Sequence, residues 1–354
     1  MYEYDVSKSN MWREVHEQPE IIRHVIDVNL PIIENICKEV DNRNISKVLL
    51  VGRGSSEHAL LVGKYAFEIY TDKLTSMAYP SIITLLDGKL DLSDVLTIGV
   101  SQCGEAKDVY TVLEKCQNQG GIAVSVTNEH ECLMRNVGNY YINCECGKET
   151  SFTAAKSYMS QMVITLLFAA VLSHDEKVLE QIKKAPDIIE QSLCKNIEEQ
   201  VKKSVPLFRN VQDILLLGRG FSYAVANETE LKIMEASYTN AKAYSSCDYP
   251  HGPIATTNRF IPVIFFLTDE KTNDSTIKLV EKIKKDFSVS TLVVTNNEKY
   301  TMANEAVLLP KEAEGVAGVF GMVVFSQLFA CLLSLARGYN PDEPIGLSKT
   351  TVTF

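Results

Sequence analysis

Val48-Leu49-Leu50-Val51-Gly52-Arg53-Gly54-Ser55-Ser56 is an apolar run feeding a Gly-Arg-Gly turn, and the chain repeats it 166 residues later as Ile214-Leu215-Leu216-Leu217-Gly218-Arg219-Gly220-Phe221-Ser222. An apolar run without polar alternation reads as a strand buried on both faces, as at the centre of a parallel sheet. Two more echoes follow in the same order: Val124-Ser125-Val126-Thr127-Asn128 with Leu292-Val293-Val294-Thr295-Asn296, and Ser160-Gln161 with Ser326-Gln327. Matches kept in one order indicate a duplicated domain.

Each copy alternates strands with helices. Val48 to Val51, Val95 to Val100 and Ile122 to Val126 read as central strands of the first copy, with helical patterns at Ala59 to Tyr70 and Lys107 to Gln117. Ile214 to Leu217, Val263 to Leu267 and Thr291 to Val294 repeat the pattern in the second. The expected fold class is α/β, two tandem doubly wound parallel-sheet domains built as α/β/α sandwiches. Between the copies, His174 to Lys203 has apolar residues at helical spacing, interrupted by Pro186, and Ile21 to Val40 is an amphipathic helix starting after Pro19. The expected division is an N-terminal helical segment (1–40), first domain (41–173), helical connection (174–205), second domain (206–339) and C-terminal tail (340–354).

Composition narrows the function. A chain of 354 residues leaves room for about two domains, and 45% hydrophobic with 23% charged residues disfavours a disordered or coiled-coil chain. The net charge of −10, with no basic run to follow a phosphate backbone, argues against nucleic acid as a partner. Nine scattered cysteines, whose one close pair is Cys144 and Cys146, have no zinc spacing and suggest a reducing, cytoplasmic setting. No metal is expected. The charged N-terminus lacks the apolar core of a signal peptide. Gly315 to Ala336 carries no charge and is long enough to span a bilayer, but it contains three glycines and has a shorter apolar partner at Ser157 to Ser173. We read it as a buried helix and expect no membrane association.

Ligands of doubly wound sheets bind at the carboxyl ends of strands, where Gly- and Ser-rich turns offer backbone N–H groups to an anion. Gly52-Arg53-Gly54-Ser55-Ser56 and Ser101-Gln102-Cys103-Gly104-Glu105 both follow apolar strands and precede helices, as a phosphate site requires. Neither has the third glycine of a dinucleotide fingerprint, and there is no P-loop. In the second copy, Glu228, Lys232 and Glu235 share one helix face, a spacing that ordinarily makes a solvated salt-bridge stripe. Tyr249-Pro250-His251-Gly252-Pro253 holds a lone histidine in a rigid turn; a carboxylate, an ammonium and an imidazole together can move protons at neutral pH.

Met11-Trp12-Arg13-Glu14-Val15-His16-Glu17-Gln18-Pro19, the two Gly-Arg-Gly turns, Ser101 to Glu105, a helix over Leu231 to Tyr244, His251-Gly252-Pro253 and Leu347-Ser348-Lys349-Thr350-Thr351-Val352-Thr353 together resemble the sugar isomerase (SIS) domain family. Within it, they resemble the isomerase half of glutamine:fructose-6-phosphate amidotransferase and its stand-alone relatives, the amino-sugar-phosphate isomerases, deaminases and fructosamine-6-phosphate deglycases. That family's glutaminase domain has no counterpart ahead of Met11, so glutamine-dependent amination is not expected. In the phosphate loop, the family's Ser-x-Ser-Gly-x-Thr stands here as Ser101-Gln102-Cys103-Gly104-Glu105-Ala106, and Ala154 occupies another family serine position in Thr153-Ala154-Ala155-Lys156. Three hydroxyls are lost.

The resemblance implies an isomerase of an amino-sugar or ketosamine 6-phosphate, needing no cofactor and coupled to deamination or deglycation. His251 would open the ring, Glu235 shuttle the proton between C1 and C2, Lys232 tune that carboxylate and Lys349 close over the sugar carbonyl. Ser56, Ser101, Gln102, Cys103, Gly104, Gly54 and Thr153 would hold the phosphate and sugar. The resemblance further implies a homodimer in which His251 acts in trans, and a tail that serves as a lid. SIS domains also serve as non-catalytic sugar-phosphate sensors, which the lost hydroxyls favour. The joint presence of Lys232, Glu235, His251 and Lys349 favours an enzyme. A role as structural partner of a separate glutaminase has no sequence feature in its support.

Overall fold

The computed structural model describes residues 6–346. The chain opens with helices α1 (Asn10–His16) and α2 (Gln18–Asn42) and then builds its first sheet from β1 (Lys47–Val51), β2 (Leu74–Met77), β3 (Leu96–Ser101), β4 (Ile122–Thr127) and β5 (Tyr140–Asn143). Interspersed are α3 (Ser55–Tyr70), α4 (Ser81–Thr84) and α5 (Lys107–Asn118), and α6 (Lys156–Leu172) follows β5. Helices α7 (Glu176–Lys183), α8 (Ala185–Ser192) and α9 (Lys195–Ser204) lead to the second sheet. Its strands are β6 (Asp213–Gly218), β7 (Asn240–Ser245), β8 (Val263–Leu267), β9 (Thr291–Thr295) and β10 (Glu305–Leu308), with α10 (Phe221–Ser237) and α11 (Glu270–Phe287) between them and α12 (Gly318–Ala336) after them.

Both sheets are wholly parallel. Their strand orders are β2-β1-β3-β4-β5 and β10-β9-β8-β6-β7, the same order when the second is read from its other edge. The duplication therefore extends to topology. Central strands β1, β3, β4, β8 and β9 are buried along nearly every residue, which explains why they read as unbroken apolar runs. The edge strands β2 and β7 alternate instead: Asn240 and Lys242 are exposed while Ala241 and Ala243 are buried.

That alternation corrects one expectation. The helix read over Leu231 to Tyr244 stops at Ser237, where Tyr238 takes a left-handed conformation (φ 54°), and the next residues form β7. A period of two had been absorbed into a helical pattern because the strand is short and rich in alanine. Pro186 does not simply break the connection, either; it lies in the first turn of α8, where a missing N–H costs nothing.

Two compact units result. The described residues of the β1–β5 unit are 20–149 and 156–183, and those of the β6–β10 unit are 6–19, 150–155 and 184–346. They cut across the linear division expected from sequence, since α1 and the segment 150–155 belong with the second sheet. Each unit has its own core: Leu49, Val51, Val112 and Leu113 pack in the first, and Leu217, Phe265, Val280 and Val293 in the second. Burying each such side chain stabilises the fold by about 1.5–3 kcal/mol. Helix α3 packs on α6 in the first unit and α10 on α12 in the second. Helix α12 is long and apolar enough to cross a membrane, yet 83% of its most apolar window is buried in the protein, as a central helix requires.

Candidate functional site

The phosphate-type loops lie at the carboxyl ends of β1 and β3. Gly54 caps the start of α3 with φ 55° and ψ −131°, a conformation open in practice only to glycine. Gly220 caps α10 with nearly the same angles, φ 61° and ψ −132°. Ser56, in the first turn of α3, is buried. In the other loop, Gly104 has φ 69° and donates its N–H to Ser101 Oγ at 3.2 Å; the thiol of Cys103 lies 3.9 Å from the same oxygen. A Cβ on Gly104 would stand 2.3 Å from Cys132 Sγ, so glycine is required there for space as well as for conformation. Gln102 and Cys103 are half-buried and face partly to solvent. Arg53 ties the loops together, its Nε and Nη2 each 2.7 Å from one carboxylate oxygen of the nearly buried Asp108 in α5.

Helix α5 starts at Ala106 without a side-chain cap. The Val109 N–H donates to Asp108 Oδ1 at 2.9 Å, and the cap residue offers the N–H groups before it no acceptor, as a serine or threonine there would. A cavity of about 500 Å³, lined among others by Asp41, Lys73 and His174, opens in the same unit at the amino ends of β1 and β2. In doubly wound sheets chemistry gathers at the carboxyl ends, so the loops, not this cavity, are the candidate site.

The acid–base cluster lies in the β6–β10 unit. Lys232 is wholly buried in α10; its Nζ is 2.6 Å from Glu235 Oε2 and 3.5 Å from Glu228 Oε1. Glu228 is 1% exposed, whereas the Glu235 side chain keeps 26% exposure. The solvated stripe that this spacing ordinarily makes does not form, because Glu228 and Lys232 lie inside the protein. Burying an ammonium is costly unless carboxylates pair it, and the i, i+3 and i, i+4 spacing supplies two. The arrangement holds one carboxylate at a surface, oriented by a buried lysine.

His251 ends a short 3-10 turn and is exposed; its backbone N–H donates to Asp248 O at 2.9 Å. Gly252 beside it has φ 141°. Thr153 is buried in the β6–β10 unit, its hydroxyl donating to Met11 Sδ at 3.2 Å. Ala154 follows it in the same segment. Lys349 lies outside the described residues.

The neighbouring Cys144 and Cys146 are free thiols and buried. Burial pushes Cys146 up to about 12 and Cys144 well above the ordinary thiol range. Among the described residues no group of three or more His, Cys, Asp or Glu side chains could hold a metal ion.

Sequence reading overlooked three anchoring carboxylates. Asp108 binds Arg53. Asp342 accepts from the N–H groups of Asn10 and Met11 at the start of α1. Glu14 accepts hydrogen bonds from Thr150 and Ser151; burial raises its carboxyl, but the bonds from the Ser151 hydroxyl and the Thr150 backbone outweigh this and hold it below the ordinary range. Only Glu14 lay within a motif that the sequence had singled out.

Duplicated parallel sheets with Gly-rich turns at their carboxyl ends define a tandem doubly wound α/β protein. The SIS domain matches residues 43–171 and 207–337, and the chain belongs to this family. It is 29% identical over 343 residues to a glutamine–fructose-6-phosphate aminotransferase (isomerizing) of Sulfurisphaera tokodaii, covering 96% of this chain and 56% of that protein. A namesake from Clostridium tetani is 28% identical over 359 residues, covering 96% and 58%. The chain thus spans little more than half the length of these curated relatives. Among solved structures, the C-terminal domain of glucosamine-fructose-6-phosphate aminotransferase from Francisella tularensis superimposes with a TM-score of 0.85 at 22% identity, covering 95% of this chain and 98% of that one. Glucosamine-6-phosphate deaminase from Thermotoga maritima gives 0.78 at 20% identity, covering 98% and 100%. Both likenesses speak to the fold.

Proposed function

We propose that the chain is a phosphosugar isomerase acting in the cytoplasm on an amino-sugar or ketosamine 6-phosphate, with isomerisation coupled to loss of the nitrogen by deamination or deglycation. One observation carries this reading: a buried lysine paired at 2.6 Å with a carboxylate that keeps an exposed edge. Aldose–ketose interconversion needs a base that removes a proton from one carbon and returns it to the next through an enediol or enolamine. Glu235 is that base, and Lys232 holds it in place. His251 moves the proton of ring opening, reaching the partner's site in an obligate homodimer. Lys349 is assigned the sugar carbonyl by resemblance.

Ser56, Ser101 and Gln102, with backbone N–H groups around Gly54, Cys103 and Gly104, take the phosphate. The uncapped start of α5 supports this assignment, since an oxyanion satisfies the N–H groups left open there. No metal or redox cofactor takes part. The names of the relatives support this substrate class: a fructose-6-phosphate aminotransferase and a glucosamine-6-phosphate deaminase are both named for nitrogen chemistry on a hexose 6-phosphate.

Binding without turnover is the competing reading, favoured by the missing hydroxyls at Cys103, Ala106 and Ala154. Incubating the protein with a panel of amino-sugar and fructosamine 6-phosphates, while following ammonia or amine release and ketose formation, decides between them. Turnover of any panel member supports the enzyme. Tight binding with no product from any of them establishes the sensor, and no binding at all removes phosphosugars from consideration.

A further inference from the structure

We propose that Arg53 is the cation of the phosphate site, donating to the phosphate of the sugar from the side of its guanidinium that Asp108 leaves free; this rests on the functional reading above. Arg53 stands in the first Gly-Arg-Gly turn, at the carboxyl end of β1, and Asp108 in the first turn of α5, directly after the loop of residues 101–106. Asp108 Oδ2 accepts from both Nε and Nη2 of Arg53 at 2.7 Å. A guanidinium carries five N–H groups in one plane, so this pairing leaves Nη1 and the outer N–H of Nη2 unused, and among the described residues neither finds an acceptor. The Asp108 carboxylate is 4% exposed and its other oxygen accepts the Val109 N–H, whereas the Arg53 side chain keeps 46% exposure. The guanidinium is therefore held along one edge and open along the other.

Charge is the reason a cation is needed here. The two loops and the first turns that follow them carry Glu57, Glu105 and Asp108, and a phosphate set against the N–H groups at the start of α5 meets the Asp108 carboxylate within the same helical turn. Arg53 offsets that carboxylate and adds a charge-assisted donor where Cys103 and Ala106 supply no hydroxyl. Lys107 is also nearby, but it is exposed and no carboxylate fixes its ammonium among the described residues. A planar fork already held in place loses little freedom when it meets an oxyanion. The second half supplies a contrast within the same chain. Arg219 occupies the same place in its turn, yet its Nη1 donates to the Ser275 hydroxyl at 3.0 Å, and α11 begins Glu270-Lys271 where α5 begins Lys107-Asp108, so a lysine stands in the place of the aspartate.

Calorimetric titration with fructose 6-phosphate, glucosamine 6-phosphate and inorganic phosphate tests the role. Arg53→Gln should weaken whichever of these the wild type binds by about ten- to hundredfold, the loss of a charge-assisted donor. Asp108→Asn keeps the arginine and removes the neighbouring negative charge, so affinity should stay within about threefold of wild type or rise. The double variant Arg53→Gln/Asp108→Asn leaves no buried carboxylate unpaired, which keeps the test open if Arg53→Gln alone does not fold; it should bind as weakly as Arg53→Gln. Arg219→Gln should bind as wild type does. Wild-type affinity in the double variant overturns the proposal, because Arg53 then does no more than neutralise Asp108. Wild-type affinity in Arg53→Gln overturns it too, as does a loss in Arg219→Gln equal to that in Arg53→Gln. A wild-type chain that binds none of the three ligands instead overturns the functional reading, and this role with it.

Discussion

The two halves share a topology but not a chemistry, and helices α3 and α10 show the difference most directly. Both follow a Gly-Arg-Gly turn with nearly identical glycine angles. At the positions where α10 carries Glu228, Lys232 and Glu235, the repeat places Val62, Ala66 and Ile69 on α3. The reverse asymmetry marks the helix after the third strand in each half. Asp269 caps α11 with its own carboxylate, accepting from Lys271 N at 3.0 Å, whereas Ala106 leaves α5 open. Even the repeated arginine differs: Arg53 pairs with the Asp108 carboxylate, and Arg219 donates to the Ser275 hydroxyl. Duplication preserved the sheet and its turns, while the side chains carried on them diverged.

The largest effect should come from Glu235→Gln, which keeps shape and hydrogen bonding but removes the base. Turnover of the phosphosugar should fall by about two to four orders of magnitude with binding retained. Calorimetry on the variant, beside its kinetics, checks both halves of that statement. Turnover within tenfold of wild type would dissolve the division of labour.

A second comparison turns α10 into α3. Lys232→Met alone leaves the buried Glu228 without its cation and should lower stability by about 3–5 kcal/mol. Replacing the whole cluster by the residues of the first half (Glu228→Val, Lys232→Ala, Glu235→Ile) should restore stability to near wild type while abolishing turnover, because an apolar set does not incur the desolvation of buried charge. Denaturant melts of the single and triple variants read this directly. A triple variant as unstable as Lys232→Met would mean that the pocket cannot repack.

Next comes the open loop of the first half. Gly104→Ala adds a methyl where φ is 69° and Cys132 Sγ stands 2.3 Å away, so phosphate affinity should fall about tenfold as the loop shifts. Titration with a phosphosugar and with its dephosphorylated form separates phosphate from sugar contacts; only the former should weaken.

The smallest effect should follow Ala106→Asp, which gives α5 the kind of cap that α11 has. Stability should rise by about 1 kcal/mol, while affinity for the phosphorylated ligand falls because the new carboxylate repels it from the N–H groups it has taken. A gain in stability with unchanged affinity would show that the start of α5 does not face the anion.

How much of this was legible without coordinates depended on the range of the interactions. The sequence alone established two tandem parallel sheets, because central strands must be apolar on both faces and the repeat of Val48–Ser56 at Ile214–Ser222 exposes the duplication. It also located the Gly-Ser turns and the residues Lys232, Glu235 and His251, since turn chemistry and helix spacing are local properties. The end of α10 was misplaced because a six-residue edge strand with alternating alanines carries little periodic signal against a helix that runs into it. Only tertiary structure decided that Glu228 and Lys232 are buried: the spacing of Glu228, Lys232 and Glu235 is the same for a solvated stripe, and burial is set by what packs on the helix rather than by its own sequence. Only tertiary structure, too, joined Glu14 to Thr150 and Ser151. A carboxylate's need for donors is written in its chemistry, but which donors meet it is settled by how distant segments pack.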